Sequence, residues 1–174
     1  MPLDDQVTML VGVSVRHAVE LEATLRSLLI TLDPSFDSSR RWQFSQLVST
    51  FRRLARTHPT FTSDARRACT VIATEVQAAY NHRSSNVHDM LGSYGDTSIE
   101  RFRFERDTKI EYRDDPEVRS VDDLVQICTD LMHATWRLRG VIFYLQRPAE
   151  PQHWSMLLGG VFTARWNGSA SHVR

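Results

Sequence analysis

Apolar residues recur at helical spacing through four stretches of this chain, each closed by a polar or proline-bearing run. Met1 to Ser14 mixes apolar and polar residues without a settled period. From Arg16 the pattern clears: Val19, Leu21, Leu25, Leu28, Leu29 and Leu32 fall three or four apart, which predicts an amphipathic helix. Asp33-Pro34-Ser35 ends it, because proline cannot continue the hydrogen-bond ladder. After the polar entry Ser38-Ser39-Arg40-Arg41, a second helix carries Trp42, Leu47, Val48, Phe51 and Leu54 on one side. Arg52, Arg53 and Arg56 fall mainly on the other, and Thr57-His58-Pro59 closes it.

The third helix opens after Phe61, where Thr62, Ser63 or Asp64 can each serve as N-cap. Ala65, Ala68, Cys69, Ile72, Val76, Ala79 and Tyr80 then form a stripe rich in small residues, which suits close approach by a neighbouring backbone. The stripe projects onward through Arg83 and Val87, and Gly92-Ser93-Tyr94-Gly95-Asp96 is expected to terminate the helix. From Ser98 to Arg113 the period drops to two: Phe102 and Phe104, then Ile110 and Tyr112, alternate with charged residues around a turn at Asp107-Thr108-Lys109. This predicts a β-hairpin over residues 98–113. Ser120-Val-Asp-Asp resembles a capping box and starts a fourth helix bearing Leu124, Ile127, Cys128, Leu131, Thr135, Leu138, Val141, Ile142 and Leu145. Pro148 stops it. The expected architecture is all-α: an antiparallel bundle of about four main helices over 1–147, with a small hairpin before the last. A tail at 148–174, partly disordered or docked through Trp154, Met156, Leu157, Leu158 and Phe162, follows.

Composition narrows the function classes. A chain of 174 residues can bury a real core as one domain, and its formal net charge is zero. No overall field therefore draws it to nucleic acid or a membrane. The distribution is uneven: Asp4, Asp5, Glu20, Glu22, Asp33 and Asp37 outweigh Arg16 and Arg26 up to Ser39. From Arg40 to Arg67, seven arginines face only Asp64. Such a block suits a local polyanion-binding surface or a dimer contact, and more commonly a solvated helix face. Cys69 and Cys128 stand apart and read as buried small hydrophobes in a reducing compartment. Without a signal peptide or an apolar run near ~18 residues, the expectation is a soluble, cytoplasmic protein without a membrane partner. No Gly-rich phosphate loop, paired metal carboxylates or Ser/His/Asp set appears, so neither a cofactor nor a metal is expected.

Arg83 is the physical oddity. A guanidinium on a buried stripe is costly unless it is paired or faces a cavity or partner. It stands five residues before His88 in Arg83-Ser84-Ser85-Asn86-Val87-His88. That spacing alone is weak, since 20 arginines and 7 histidines in 174 residues yield about 0.8 such pairs by chance. A second copy, Arg53 to His58, spans a helix exit and reads as a basic face followed by a turn. On an ideal helix, residues five apart lie about 140° apart, so Arg83 and His88 converge if the helix loosens at Ser84-Ser85-Asn86 or the arginine curls back. Serine and asparagine are poor helix-interior residues, which favours loosening there. Absent any wider context, Arg83 would be an ion-pair partner and His88 a cation at a helix C-terminus.

With its layout of core helix, hairpin and capped final helix, the run Tyr80-Asn81-His82-Arg83-Ser84-Ser85-Asn86-Val87-His88-Asp89-Met90-Leu91-Gly92 resembles the HEPN superfamily. The resemblance covers roughly residues 15–147. Members carry Arg–x4–6–His toward the end of a core helix, usually with Asn, Asp or His after the arginine. This chain has Ser84 there, leaving Asn86 or His82 to supply a positioning group. The resemblance implies a metal-independent endoribonuclease of prokaryotic or phage-related defence or a toxin–antitoxin system. Arg83 and His88 would be its catalytic residues, Ser84, Asn86 and His82 possible positioning groups, and Arg52, Arg53 and Arg56 weak RNA contacts. The implied partners are RNA, a second copy completing the active site at a homodimer interface, and a cognate antitoxin or regulatory protein. Other members bind only nucleotides or proteins, which is the alternative. Trp136 and Tyr144 read as core or dimer residues.

Overall fold

The computed structural model describes residues 3–87, 89–94, 98–103 and 120–147, of which 4, 84–87, 89–94 and 98–103 are described in their backbone alone. Among the described residues there are four helices: α1 (Leu3–Leu32), α2 (Phe44–Thr57), α3 (Ser63–Val87) and α4 (Val121–Gln146). The protein is therefore helical, as its periodicity predicts. Between α3 and α4, the short strands β1 (Asp89–Tyr94) and β2 (Ser98–Arg103) pair antiparallel, Asp89 opposite Arg103 and Tyr94 opposite Ser98. This is not the expected hairpin over 98–113. Its first strand pairs backward along the chain, and its second, around Ile110 and Tyr112, lies outside the described residues.

α1 begins thirteen residues earlier than its clear periodicity. Val7, Ser14, Leu21 and Leu28 fall seven apart, as do Val11, Ala18, Leu25 and Leu32, and all but the half-buried Val11 are buried. This is an unbroken heptad stripe, the pattern that packs one helix against others along its length. Ser14 hides it in the sequence. Its hydroxyl donates to the Val11 carbonyl at 2.8 Å, so the polar group is satisfied within its own helix and can be buried.

The helix starts follow capping chemistry. Thr62, of the three candidates, caps α3: its Oγ1 accepts from the Ala65 amide at 3.2 Å. At α4, Asp123 Oδ2 accepts the Ser120 amide at 2.8 Å while Ser120 Oγ accepts the Asp123 amide at 3.2 Å, the reciprocal box expected there. α2 starts later than its apolar pattern, at Phe44, with the Gln46 side chain accepting the Gln43 amide at 2.9 Å. Trp42 lies before the helix, stacked on Phe36 with centroids 5.5 Å apart, and its Nε1 donates to the Asp37 carbonyl. The α1–α2 connection repeats one device. Asp33 accepts from the amide and hydroxyl of Ser35, and Asp37 does so from Ser39.

Two compact units share these helices. One draws on Met1–Ala23 and Glu75–Thr135. Its core takes Val7, Ala18 and Leu21 from α1, Val76 and Ala79 from α3, and Leu124, Ile127, Cys128, Leu131 and Ala134 from α4. The Cys128 thiol lies 3.5 Å from the Leu10 carbonyl, tying α4 to α1. The second draws on Thr24–Thr74 and Trp136–Arg174. It buries Leu25, Leu28 and Leu29 with Leu47, Val48 and Phe51 of α2, Cys69 and Ile72 of α3, and Leu138 and Val141 of α4. Each Leu, Ile, Val or Phe among them stabilises its unit by about 1.5–3 kcal/mol before ordering costs. Tyr144, read as a core or dimer residue, belongs to this core, while the predicted Leu145 is half-buried. Trp136 is 60% exposed, so it is not a core residue. The expected tail at 148–174 lies outside the described residues.

Candidate functional site

The stripe of α3 is as the sequence predicts, and Arg83 stands on it. Ala65, Ile72 and Ala79 form one ladder of heptad spacing, and Cys69 and Val76 form the other; all five are buried. Arg83 is the next step of the second ladder, seven residues beyond Val76. Its side chain is half-buried, and its Nε is buried with no hydrogen-bond partner among the described residues. A guanidinium nitrogen stripped of water and left unpaired costs about 1–3 kcal/mol, more for a charged group.

α3 does not loosen after Arg83. It stays helical through Ser84, Ser85, Asn86 and Val87, correcting both the expected break and the expected end near Gly92. The residues have low intrinsic helix preference, but 21 preceding residues of formed helix spare them the cost of nucleation. Ser84 and Asn86 thus sit on the last turn of α3, and His88 lies outside the described residues. His82 is exposed, while Gln77 and Asn81 are hydrogen-bonded to each other at 2.8 Å on the α3 surface.

The basic block from Arg40 to Arg67 falls within the second unit and divides in two. Arg52 is half-buried and donates through Nη2 to Thr74 Oγ1 at 3.1 Å, so it links α2 to α3. Arg66 donates to the His58 carbonyl at 3.4 Å, and the Arg40 guanidinium lies over Trp42, 4.8 Å from the ring centroid. Arg41, Arg53, Arg56 and Arg67 are exposed. Of the three weak RNA candidates, only Arg53 and Arg56 project to solvent, and Arg56 stands in the last turn of α2, where a cation meets the helix dipole. In the second Arg–x4–His copy, Arg53 is exposed and His58 caps α2, its amide bonding the Leu54 carbonyl and its ring 5.3 Å from Phe61.

Sequence reading missed Arg137, which is 6% exposed on α4. It precedes Leu138 on the apolar repeat, and its long charged side chain gave no signal of burial. Burial pushes the Cys69 thiol up to about 12, so it is no nucleophile near neutrality. Among the described residues, no three His, Cys, Asp or Glu side chains gather as metal ligands, and no helix is long and apolar enough to cross a membrane. No family model, no curated protein and no solved structure matches this chain.

Proposed function

We propose that the end of α3 is the active site of a metal-independent endoribonuclease of HEPN type, acting in the cytoplasm in prokaryotic or phage-related defence or a toxin–antitoxin pair. One observation carries the reading: a guanidinium placed on the buried ladder of α3, near its end, with a buried Nε that has no hydrogen-bond partner among the described residues. Such a cation has stability to gain from an anion, and phosphate is the anion its planar fork fits.

RNA scission without metal needs a base for the 2′-hydroxyl, an acid for the departing 5′-oxygen and a cation on the phosphorane. His88 is the base or acid, since imidazole titrates near neutrality, and Arg83 steadies the phosphorane charge. The 2′-oxygen bonds to phosphorus as the bond to the 5′-oxygen breaks, leaving a cyclic phosphate and a 5′-hydroxyl. One chain has a single such pair, so a two-fold homodimer would supply base and acid together. Asn86, Ser84 or His82 positions the phosphate.

Pure protein incubated with mixed RNA in EDTA tests this, beside His88→Ala and Arg83→Ala. The parent should cleave, both variants should lose cleavage while keeping their helical content, and a 2′-deoxy substrate should resist. Cleavage by His88→Ala would end the assignment. A second reading, a non-catalytic module binding nucleotide or protein, is favoured by the unbroken helix through Val87. That module would bind RNA or nucleotide without cutting it.

A further inference from the structure

α4 is apolar on two faces. One is buried, through Leu124, Ile127, Leu131, Leu138 and Val141. The other is not: Val125 is 45% exposed, Met132 38%, Trp136 60% and Phe143 37%. At ~100° per residue these four fall within an arc of roughly 40°, on the side away from the buried stripe. Chance scattering of surface apolar residues is common, but four large ones on one line of one helix form a seam.

The spacing of that seam is its own mirror image. Seven residues separate Val125 from Met132, four separate Met132 from Trp136, and seven separate Trp136 from Phe143. Thr129 and Arg139 complete the same heptad phase. A pattern symmetric about its midpoint is what an antiparallel helix pair related by a two-fold axis requires, because each residue must meet its reflection. The charges run the same way. Asp122 and Asp123 stand in the first turn of α4. At the other end, the Arg139 guanidinium lies over Trp136 at 5.5 Å and that of Arg147 over Phe143 at 5.3 Å. Parallel helices would set acid against acid and arginine against arginine. Antiparallel ones set the acidic start against the basic end.

We infer that this face of α4 receives a second copy of the chain, the two α4 helices running antiparallel about a two-fold axis beside position 134. Met132 then packs on the partner's Trp136, Val125 on the partner's Phe143 and Thr129 on the partner's Arg139. Asp122 lies across from the partner's Arg147. The seam stands apart from the ribonuclease reading, since Arg83 takes no part in it.

Light scattering over a concentration series is the test. The intact chain should form a concentration-dependent dimer. Trp136→Asp and Met132→Glu, both at exposed positions, should halve the size of the assembly with unchanged helical circular dichroism. Asp122→Arg and Arg147→Asp should each weaken the dimer about two- to fivefold, and the double variant should recover it. Spin labels at Gln126→Cys and Gln146→Cys read direction: antiparallel pairing separates them by ~24 Å and ~36 Å along the axis, parallel pairing by ~10 Å at both. A monomer throughout, a dimer indifferent to Trp136→Asp, or two equal short distances would overturn the seam. Arg83→Met should dimerise like the parent, whatever becomes of cleavage.

Discussion

The hydroxyl of Tyr144, near the end of α4, donates to the Thr60 carbonyl at 3.1 Å, across 84 residues of sequence. The same ring stacks on Phe61 with centroids 5.7 Å apart. One side chain thus fixes the α2–α3 turn to the last helix, by a hydrogen bond and a ring contact together. Tyr144→Phe keeps the stacking and removes the bond. It should cost about 1 kcal/mol, lowering Tm by about 2–4 °C in a chain of this size. Urea denaturation gives the number, and an unchanged midpoint would show the hydroxyl to be idle.

Arg83→Met asks whether the arginine is structural. Methionine has similar reach and no buried nitrogen to leave unpaired, so the variant should be as stable as the parent, or more stable by about 1 kcal/mol. A loss above about 1 kcal/mol in denaturant would make Arg83 a structural cation. Stability kept and cleavage lost would mark a residue held for its chemistry.

Asp33 and Asp37 connect local hydrogen bonding to pH. The hydroxyl and amide of Ser35 hold the Asp33 carboxyl below the usual carboxylate range, with the Arg53 charge adding to them, and Ser39 does the same for Asp37. A carboxylate with a lowered folded pKa contributes its stabilisation above its unfolded pKa and loses it as pH falls through the folded value. The α1–α2 connection should therefore loosen only at strongly acid pH. Ser35→Ala should raise the Asp33 titration midpoint by carboxyl NMR and leave that of Asp37 in place.

Thiol accessibility offers a direct check on the core. Cys69 is fully buried and Cys128 nearly so, with burial raising both thiols. Neither should react with a thiol reagent at neutral pH within the time in which the unfolded chain reacts fully. Rapid labelling of Cys69 in the native protein would mean that the second unit opens far more readily than its packing implies.

Where one apolar stripe runs along a helix, the sequence was a sufficient guide, as for Ala65 to Ala79 on α3 and Leu47 to Phe51 on α2. It misled in two ways. Ser14 broke the visible period of α1, because a hydroxyl bonded to its own helix is silent in a polarity count. On α4 the two apolar faces overlap in any count of apolar residues, so the sequence left Trp136 and Tyr144 alike as core or dimer residues and counted the half-buried Leu145 with the core. At the candidate site, the position of Arg83 on its ladder was legible from spacing. The continuity of α3 past it was not, because Ser84 to Asn86 disfavour helix singly while the preceding turns sustain it.

The heptad stripe of α1 also has a consequence in time. Leu25, Leu28 and Leu29 belong to a unit whose α4 contribution, from Leu138 to Tyr144, is made more than 100 residues later. At translation rates of about 5–20 residues per second, that is an interval of roughly 5–20 s. Until it closes, the cluster these leucines form with α2 and α3 lacks its α4 side. The chain should therefore be a strong client of chaperones that shield nascent apolar surface, and its yield should depend on them more than the stability of the finished fold would suggest.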